Sequence, residues 1–215
     1  MKYLVLLLAL DLFALSIIDR PICFDQVRIK LTKDYIQKHY GLKVENIKIK
    51  PRIIAIHWTG LSDFNTSYNR FANVSLPTDR ADIVKASALN VSAHFMVDRD
   101  GTVYRLMNET NMGRHIIGLN YSSIGIENVG GNDNKDNLTP SQLQANIQLI
   151  QYLQEKYKSI DYLVGHHEYT QCTDMPLWLE KDDNYRTIKH DPGIPFMKKL
   201  RLHFPALKSC DKGTL

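Results

Sequence analysis

The sequence lacks the features that mark several classes of protein. Its 215 residues contain no internal repeat and no low-complexity linker, which excludes repeat-array architectures. No uninterrupted apolar run reaches the roughly 18 residues that a membrane-spanning helix requires. Basic residues interleaved with aromatic residues, which are typical of nucleic-acid-binding surfaces, do not occur either. We therefore expect no nucleic-acid partner and no stable membrane insertion.

Cysteine is scarce, with three residues in the chain. Cys23, Cys172 and Cys210 cannot all pair within one molecule, so export to an oxidising compartment would leave one disulfide and one free thiol. The sequence does not decide which two cysteines pair. Cys172 lies near His167 and could be considered as a metal ligand, but the carboxylate of Asp191 has the better sequence context for that role.

Composition places the chain among ordinary globular proteins. Apolar residues make up 44% of the sequence and charged residues 23%, which suits one domain with an ample hydrophobic core. The formal net charge of +4 is mildly basic, and lysine and arginine are scattered along the chain. We expect an ordinary solvated surface, and the alternative is a surface with a mild attraction to anionic polymers.

The N-terminus has the pattern of a secretory signal peptide. Lys2 precedes a short apolar run at residues 3–10, and Ala14 and Ser16 supply small residues before a cleavage site. Asp11 is unfavourable beside such a run, and the alternative is a buried N-terminal helix of a cytoplasmic enzyme. We expect the signal peptide, and therefore a periplasmic or secreted protein.

Short apolar segments that alternate with helical patterns predict an α/β fold. The predicted strands lie at residues 53–57, 91–97, 102–106, 123–129 and 162–164. Helices are predicted at residues 32–40 with Thr32 as N-cap, at residues 78–89, and after a capping box formed by Thr139 and Gln142. Segment 61–76 is predicted as a loop with a helical turn, and segment 108–121 as a loop. This order indicates a central mixed β-sheet flanked by helices, with the functional site at one end of the sheet.

A candidate metal site is formed by residues that follow predicted strands. One strand ends in His57, another leads into His166 and His167, and Asp191 precedes a Pro-Gly turn. Imidazole and carboxylate are zinc ligands, and a catalytic zinc ion takes three protein ligands. Neighbouring histidines in an extended segment face opposite ways, so only one of the two can join the site. Gly165 allows close approach of the backbone and favours His166.

Two further residues have catalytic chemistry. Glu127 interrupts an apolar run, and a carboxylate there is costly to bury unless it is paired or lies in a cleft, where it could act as a general base. Lys189 lies two residues before Asp191 and could place a positive charge beside a developing oxyanion. The alternatives are a Glu127 side chain that faces solvent and a Lys189 side chain that is an ordinary surface lysine.

Five segments occur in the order and context of a known family. They lie at residues 56–59, 92–101, 120–127, 164–166 and 189–193, with the sequences IHWT, SAHFMVDRDG, NYSSIGIE, VGH and KHDPG. Together they resemble the zinc-dependent N-acetylmuramoyl-L-alanine amidases. These enzymes have the type 2 amidase fold, which they share with peptidoglycan recognition proteins. The resemblance covers the chain from Arg52 to Leu200.

The resemblance implies roles for individual residues. His57, His166 and Asp191 would hold Zn²⁺, Glu127 would transfer protons, and Lys189 would support the transition state.

Three further residues match positions in or beside the substrate cleft of the family, namely His94, Arg114 and His115. Some relatives have a catalytic tyrosine before the strand histidine, whereas this chain has Ala93 there. It is therefore similar to the branch that relies on the glutamate.

The resemblance also implies a reaction and a domain organisation. A zinc hydrolase would cut the amide bond between the lactyl group of N-acetylmuramic acid and L-alanine in peptidoglycan or a muropeptide. The alternative is a module that binds peptidoglycan without cutting it. We expect a monomer with a signal peptide at 1–16, an N-terminal extension packed on the domain at 17–50, the zinc amidase domain at 51–204 and a C-terminal tail at 205–215.

Overall fold

A computed structural model of the chain describes residues 15–77, 83 and 85–210. The strands are β1 (Ile17–Asp19), β2 (Ile53–Trp58), β3 (Phe95–Val97), β4 (Val103–Arg105), β5 (Ser123–Asn128) and β6 (Tyr162–Gly165). They form one sheet in the order β1-β4-β3-β5-β2-β6. β3 and β4 are antiparallel, whereas the other neighbouring strands are parallel. The mixed sheet of an α/β fold is thereby confirmed.

The helices are α1 (Gln26–Tyr35), α2 (Phe64–Ala72), α3 (Pro140–Lys156) and α4 (Ile194–Arg201). A π-helical segment, Ile36–Tyr40, continues α1, and a 3-10 helix, His166–Cys172, follows β6. α3 begins at the predicted capping box, in which Thr139 and Gln142 bond each other's backbone N–H groups at 2.9 and 3.1 Å. Among the described helices, none has the length and apolar character needed to cross a bilayer.

Both faces of the central strands are buried. Ile53 and Ala55 of β2 belong to a core cluster with Tyr35, whereas Ile54 and Ile56 belong to a second cluster built with α3 and α4. This alternation follows from the two-residue period of a strand. Apolar strands without polar interruptions are typical of parallel sheets that are covered on both faces. By the same period, the side chain at position 57 shares the face of Ile53 and Ala55.

The first helix begins earlier than the sequence predicts. α1 starts at Gln26, where Asp25 Oδ1 accepts a hydrogen bond from the backbone N–H of Arg28 at 2.9 Å. Thr32, the predicted N-cap, lies inside the helix, where its hydroxyl donates to the Arg28 carbonyl at 2.7 Å. The predicted end is confirmed, since Gly41 adopts a φ of 68° directly after the last turn.

The segment 61–76, predicted as a loop with a helical turn, contains the nine-residue helix α2. Asp63 Oδ1 accepts from the backbone N–H of Thr66 at 2.9 Å and caps the helix. The buried face consists of Phe64, Ser67 and Phe71. Because a serine occupies the middle of that face, the hydropathy pattern alone does not show a helical period.

Half of the predicted helix at 78–89, residues 78–82 and 84, lies outside the described part of the chain. Residues 85–86 form a turn, and an antiparallel bridge joins Ser75 to Leu89. The helix therefore does not extend to its predicted end. The apolar run at residues 3–10 also lies outside the described residues.

Cys172 and Cys210 form a disulfide, and Cys23 is an exposed free thiol. The bond joins the end of the 3-10 helix to a segment that lies beside β6, where Tyr162 bridges to Lys208. This answers the pairing question that the sequence left open. A sulfur in a disulfide is not available as a thiolate ligand, so Cys172 is excluded from the metal site in this state.

A buried carboxylate connects α3 to the edge of the sheet. Glu109 accepts hydrogen bonds from Arg105 Nε at 3.1 Å and from Tyr157 Oη at 2.7 Å, and it pairs with Lys156 Nζ at 2.6 Å. Burial alone would raise the pKa of Glu109. The hydrogen bonds from Lys156 and Tyr157, together with the nearby positive charges, outweigh burial and hold the pKa below its ordinary value of 4.5.

Glu109→Gln should lower stability at neutral pH and have little effect in acid. A carboxylate whose folded pKa lies below its unfolded pKa stabilises the fold above the unfolded value, and this contribution is lost as the pH falls through the folded value. Thermal unfolding of both proteins between neutral pH and about pH 3 measures the effect. The difference in Tm should narrow below the ordinary pKa of 4.5. A difference that stays constant over the whole range would contradict the assignment.

Candidate metal centre and active site

Three neighbouring parallel strands end at one edge of the sheet and carry predicted site residues. Glu127 of β5 is in register with His57 of β2, and Ile56 of β2 is in register with Gly165 of β6. His166 follows Gly165 directly and therefore lies beside His57. In open α/β sheets, ligands bind outside the carboxyl ends of the strands. The structure places the predicted site at such an edge.

His57, His166 and Asp191 form a cluster of metal-ligating atoms. His57 Nδ1 and His166 Nδ1 lie 2.9 Å apart. Asp191 Oδ2 lies 2.9 Å from His166 Nδ1 and 3.2 Å from His57 Nδ1. Ligands of a tetrahedral zinc ion at about 2.0–2.1 Å lie about 3.3 Å from one another. The three side chains are buried, and among the described residues they are the one such group of histidine, cysteine and acidic side chains. The donor set and its spacing fit Zn²⁺.

Burial keeps the His166 imidazole in the neutral form that binds metal. It lowers the pKa of His166 to about 4, against the opposing effect of Asp191, and it lowers the pKa of His115 well below its ordinary value. Burial also opposes ionisation of Asp191. The charges and hydrogen bonds of His166 and His57 outweigh it and hold the pKa of that carboxyl well below its usual range. Neutral imidazole and carboxylate are the ligand forms of these groups.

His166, rather than His167, joins the cluster. His167 Nδ1 lies 3.0 Å from the backbone oxygen of Asp191, and the backbone N–H of His167 donates to the same oxygen at 2.8 Å. A Cβ at Gly165 would lie 2.8 Å from the His167 ring. A close approach to the Gly165 backbone was expected and exists, but the group that approaches it is the His167 ring rather than His166. The structure gives His167 a role in holding the loop that carries Asp191.

The segment that carries His166 is held by α4. Glu168 Oε2 accepts from the backbone N–H of Gly165 at 2.8 Å, and Arg201 donates to both oxygens of Glu168, with the bond to Oε1 at 2.7 Å. This bidentate pair fixes the start of the 3-10 helix. Sequence patterns did not reveal it, because 33 residues separate its members and neither belongs to a recognised motif.

A cleft of about 270 Å³ opens in front of the cluster. Its lining includes six of the eight predicted site residues, namely Arg114, His115, Glu127, His166, Lys189 and Asp191. Glu127 lines the cleft and is 6% exposed, so it does not face bulk solvent. Lys189 is half-buried at the same cleft. Glu127 and Lys189, whose alternatives were a solvent-facing side chain and an ordinary surface lysine, therefore both lie at the cleft.

The polar segment 169–187 forms part of one wall of the cleft, to which it contributes Tyr185 and Thr187. Trp178 does not line the cleft and stacks instead on Tyr169, with ring centroids 6.3 Å apart.

His94 does not reach the cleft, which corrects its expected contact with substrate. The side chain is fully buried, and both ring nitrogens serve the backbone. Nδ1 accepts from the N–H of Gly125 at 2.9 Å, and Nε2 donates to the carbonyl of Asn111 at 2.8 Å. Burial lowers the pKa of His94 to about 4. A motif gives the residue type but not the direction of the ring, so this difference could not be seen in the sequence.

Arg114 lines the cleft, but its guanidinium is used mainly inside the protein. It donates to the carbonyls of Ile83, Ser87 and Leu89, and to the Tyr185 hydroxyl at 3.0 Å. Arg114 therefore joins the segment before β3 to the wall residue Tyr185. A direct contact with substrate stays a prediction.

Comparison with known proteins places this geometry in a family. The family model of N-acetylmuramoyl-L-alanine amidase matches residues 48–193. The endolysin of Escherichia phage T7 is 39% identical over 103 residues, which cover 44% of this chain and 68% of the endolysin. The family model covers more than half of the chain, and the identity with the endolysin is high enough to indicate a shared family as well as a shared fold.

Solved structures show the same fold at lower identity. The N-acetylmuramoyl-L-alanine amidase LysC from Clostridium intestinale is 21% identical, with a TM-score of 0.51, and the match covers 90% of this chain and 99% of LysC. A selenomethionine derivative of AmpD is 19% identical, with a TM-score of 0.55 and coverage of 89% and 96%. The resemblance seen in the five motifs is confirmed. The chain therefore belongs to the N-acetylmuramoyl-L-alanine amidase family.

Proposed function

We propose that the cleft hydrolyses the amide bond between the lactyl group of N-acetylmuramic acid and L-alanine, in peptidoglycan or a muropeptide, with Zn²⁺ held by His57, His166 and Asp191. The observation that carries the proposal is the convergence of this cluster with Glu127 and Lys189 on one cleft. The family match supports the reaction class.

Each polar group of the cleft has a separate task. A zinc ion, when bound, would supply Lewis-acid activation of water and of the substrate carbonyl. The Glu127 carboxylate accepts a proton from the attacking water and passes it to the departing amine of L-alanine. The Lys189 ammonium stabilises negative charge on the carbonyl oxygen. The products are a glycan with a free lactyl carboxylate and a stem peptide with a free amine.

A module that binds peptidoglycan without cutting it is the competing function. The complete set of ligands, together with Glu127 and Lys189 in the same cleft, favours catalysis. Incubation with purified peptidoglycan, followed by mass spectrometry of the soluble fraction, tests the proposal. Stem peptides with a free N-terminal L-alanine are expected. Binding to peptidoglycan without their release would favour the recognition module.

Export is part of the proposal, because polymeric peptidoglycan lies outside the cytoplasm. The signal-peptide pattern at residues 1–16 would deliver the protein there, and the disulfide between Cys172 and Cys210 suits an oxidising compartment. Sequencing of the mature N-terminus checks this step.

Zinc binding should depend on His166 and not on His167. Removal of one of three proposed ligands opens the site. The His167 ring contacts the backbone oxygen of Asp191 and lies 3.6 Å from Glu168 Oε1, and its removal leaves the backbone N–H of residue 167 to hold the Asp191 loop. Wild type and His167→Ala should retain zinc after dialysis, and His166→Ala should lose it. Zinc at about 100 times its Kd should also stabilise wild type by about 2.7 kcal/mol, and should not stabilise His166→Ala. Undiminished zinc in a folded His166→Ala protein would contradict the ligand assignment.

A further inference from the structure

The His115 ring contacts the proposed ligand His57 on the side away from the cluster. His57 Nδ1 faces His166 and Asp191, whereas His57 Nε2 lies 3.1 Å from His115 Nδ1. The two rings meet edge to face, with centroids 5.1 Å apart and an angle of 89°. The two nitrogens of His57 therefore have separate partners.

The hydrogen bonds assign the protons on both rings. A ligating Nδ1 carries no proton, so His57 carries its proton on Nε2 and donates it to His115 Nδ1. His115 then carries its own proton on Nε2, which lies 3.3 Å from Ser123 Oγ. The Ser123 hydroxyl donates in turn to the Leu119 carbonyl at 2.9 Å. In this series of hydrogen bonds, each donor therefore has one acceptor.

The position of His115 is fixed by its surroundings. Gly125 leaves room for the ring, since a Cβ there would lie 2.8 Å from His115 Cγ and Nδ1. The Asn120 side-chain oxygen accepts from the backbone N–H groups of His115 and Ile116 at 2.8 and 2.7 Å. Asn120 itself donates to the Tyr40 hydroxyl at 3.0 Å. His115 is therefore held on a rigid support.

We propose that His115 is a positioning residue for the metal centre, which fixes the tautomer and ring orientation of His57 so that Nδ1 points to the metal. This inference rests on the proposed function. Both ring nitrogens of His115 are engaged, which leaves neither for the substrate contact expected from the resemblance. The role is that of an outer partner of a ligating histidine.

Two substitutions at position 115 separate the hydrogen bond from simple packing. His115→Phe keeps a ring against Gly125 but removes the acceptor, and zinc affinity should fall by about 10–100-fold. His115→Asn keeps an acceptor close to the position of Nδ1 and should recover most of that loss. Ser122→Ala is the matched control, because its buried hydroxyl also bonds the Leu119 carbonyl but does not contact His115. Competition with a chromogenic chelator measures the affinities.

An independent measurement needs no substitution at position 115. Nitrogen-15 NMR of the zinc-loaded wild type should show His57 protonated at Nε2, and protonation at Nδ1 would overturn the inference. Equal zinc affinity of wild type and His115→Phe would overturn it as well, while leaving the proposed function intact. A wild-type protein that binds no zinc would refute the proposed metal site and this inference together.

Discussion

Glu127→Gln should lower the rate of stem-peptide release by about 10²–10⁴-fold and leave zinc content and Tm unchanged. The carboxylate is buried in the cleft, in register with His57 on the neighbouring strand. Glutamine keeps the shape of the side chain but cannot accept a proton. Initial rates on a purified muropeptide, measured by chromatography of the released peptide, give the effect, and metal analysis of the same preparation gives the zinc content.

Glu155→Gln is a matched control, since that side chain is exposed on α3. It should keep the wild-type rate. A Glu127→Gln enzyme that turns over at the wild-type rate would remove Glu127 from proton transfer. Loss of zinc from Glu127→Gln would show that Glu127 maintains the site rather than carrying the proton.

The second large effect should come from Glu180→Ala, which we expect to destabilise the fold by about 3–5 kcal/mol. Glu180 Oε1 lies 2.9 Å from His39 Nδ1, and the two side chains are 0% and 1% exposed. The other nitrogen of His39 faces the Ala86 carbonyl at 3.2 Å. Removal of the carboxylate leaves the buried ring without its partner. Urea denaturation followed by tryptophan fluorescence measures the loss.

A surface pair provides the comparison for this experiment. Asp183 is 97% exposed and lies 3.5 Å from Arg186, so Asp183→Ala should cost about 0–1 kcal/mol. The double variant His39→Ala with Glu180→Ala should lose less than the sum of the single losses, because both remove the same contact. Additive losses would show that the two residues act independently.

The metal-ligand cluster could be predicted because local pattern and topology agree there. His57 lies at the end of a short apolar strand, and His166 directly follows another. The carboxyl ends of neighbouring parallel strands meet at one edge of a sheet. Asp191 was predicted from its ligand chemistry and its place before a Pro-Gly turn, and the family motif points to the same residue.

The contacts that support the site could not be predicted, because they depend on packing between distant segments. The His39–Glu180 pair joins residues 141 positions apart, and no local period connects them. α2 was missed for a different reason, since Ser67 occupies its buried face and weakens the apolar pattern. The ring direction of His94 is likewise set by Gly125 and Asn111, which belong to other segments.

The proposed ligands His57 and Asp191 are 134 residues apart in the chain. A metal ion that joined them would close a very long loop, and no short fragment of the chain would contain the site. Metal affinity would then add to the folding free energy, because the unfolded chain has no preformed site. By the proposed function, a newly made chain would lack hydrolytic activity until β2 had paired with β5 and β6, so hydrolysis of peptidoglycan would begin only after this part of the sheet has folded.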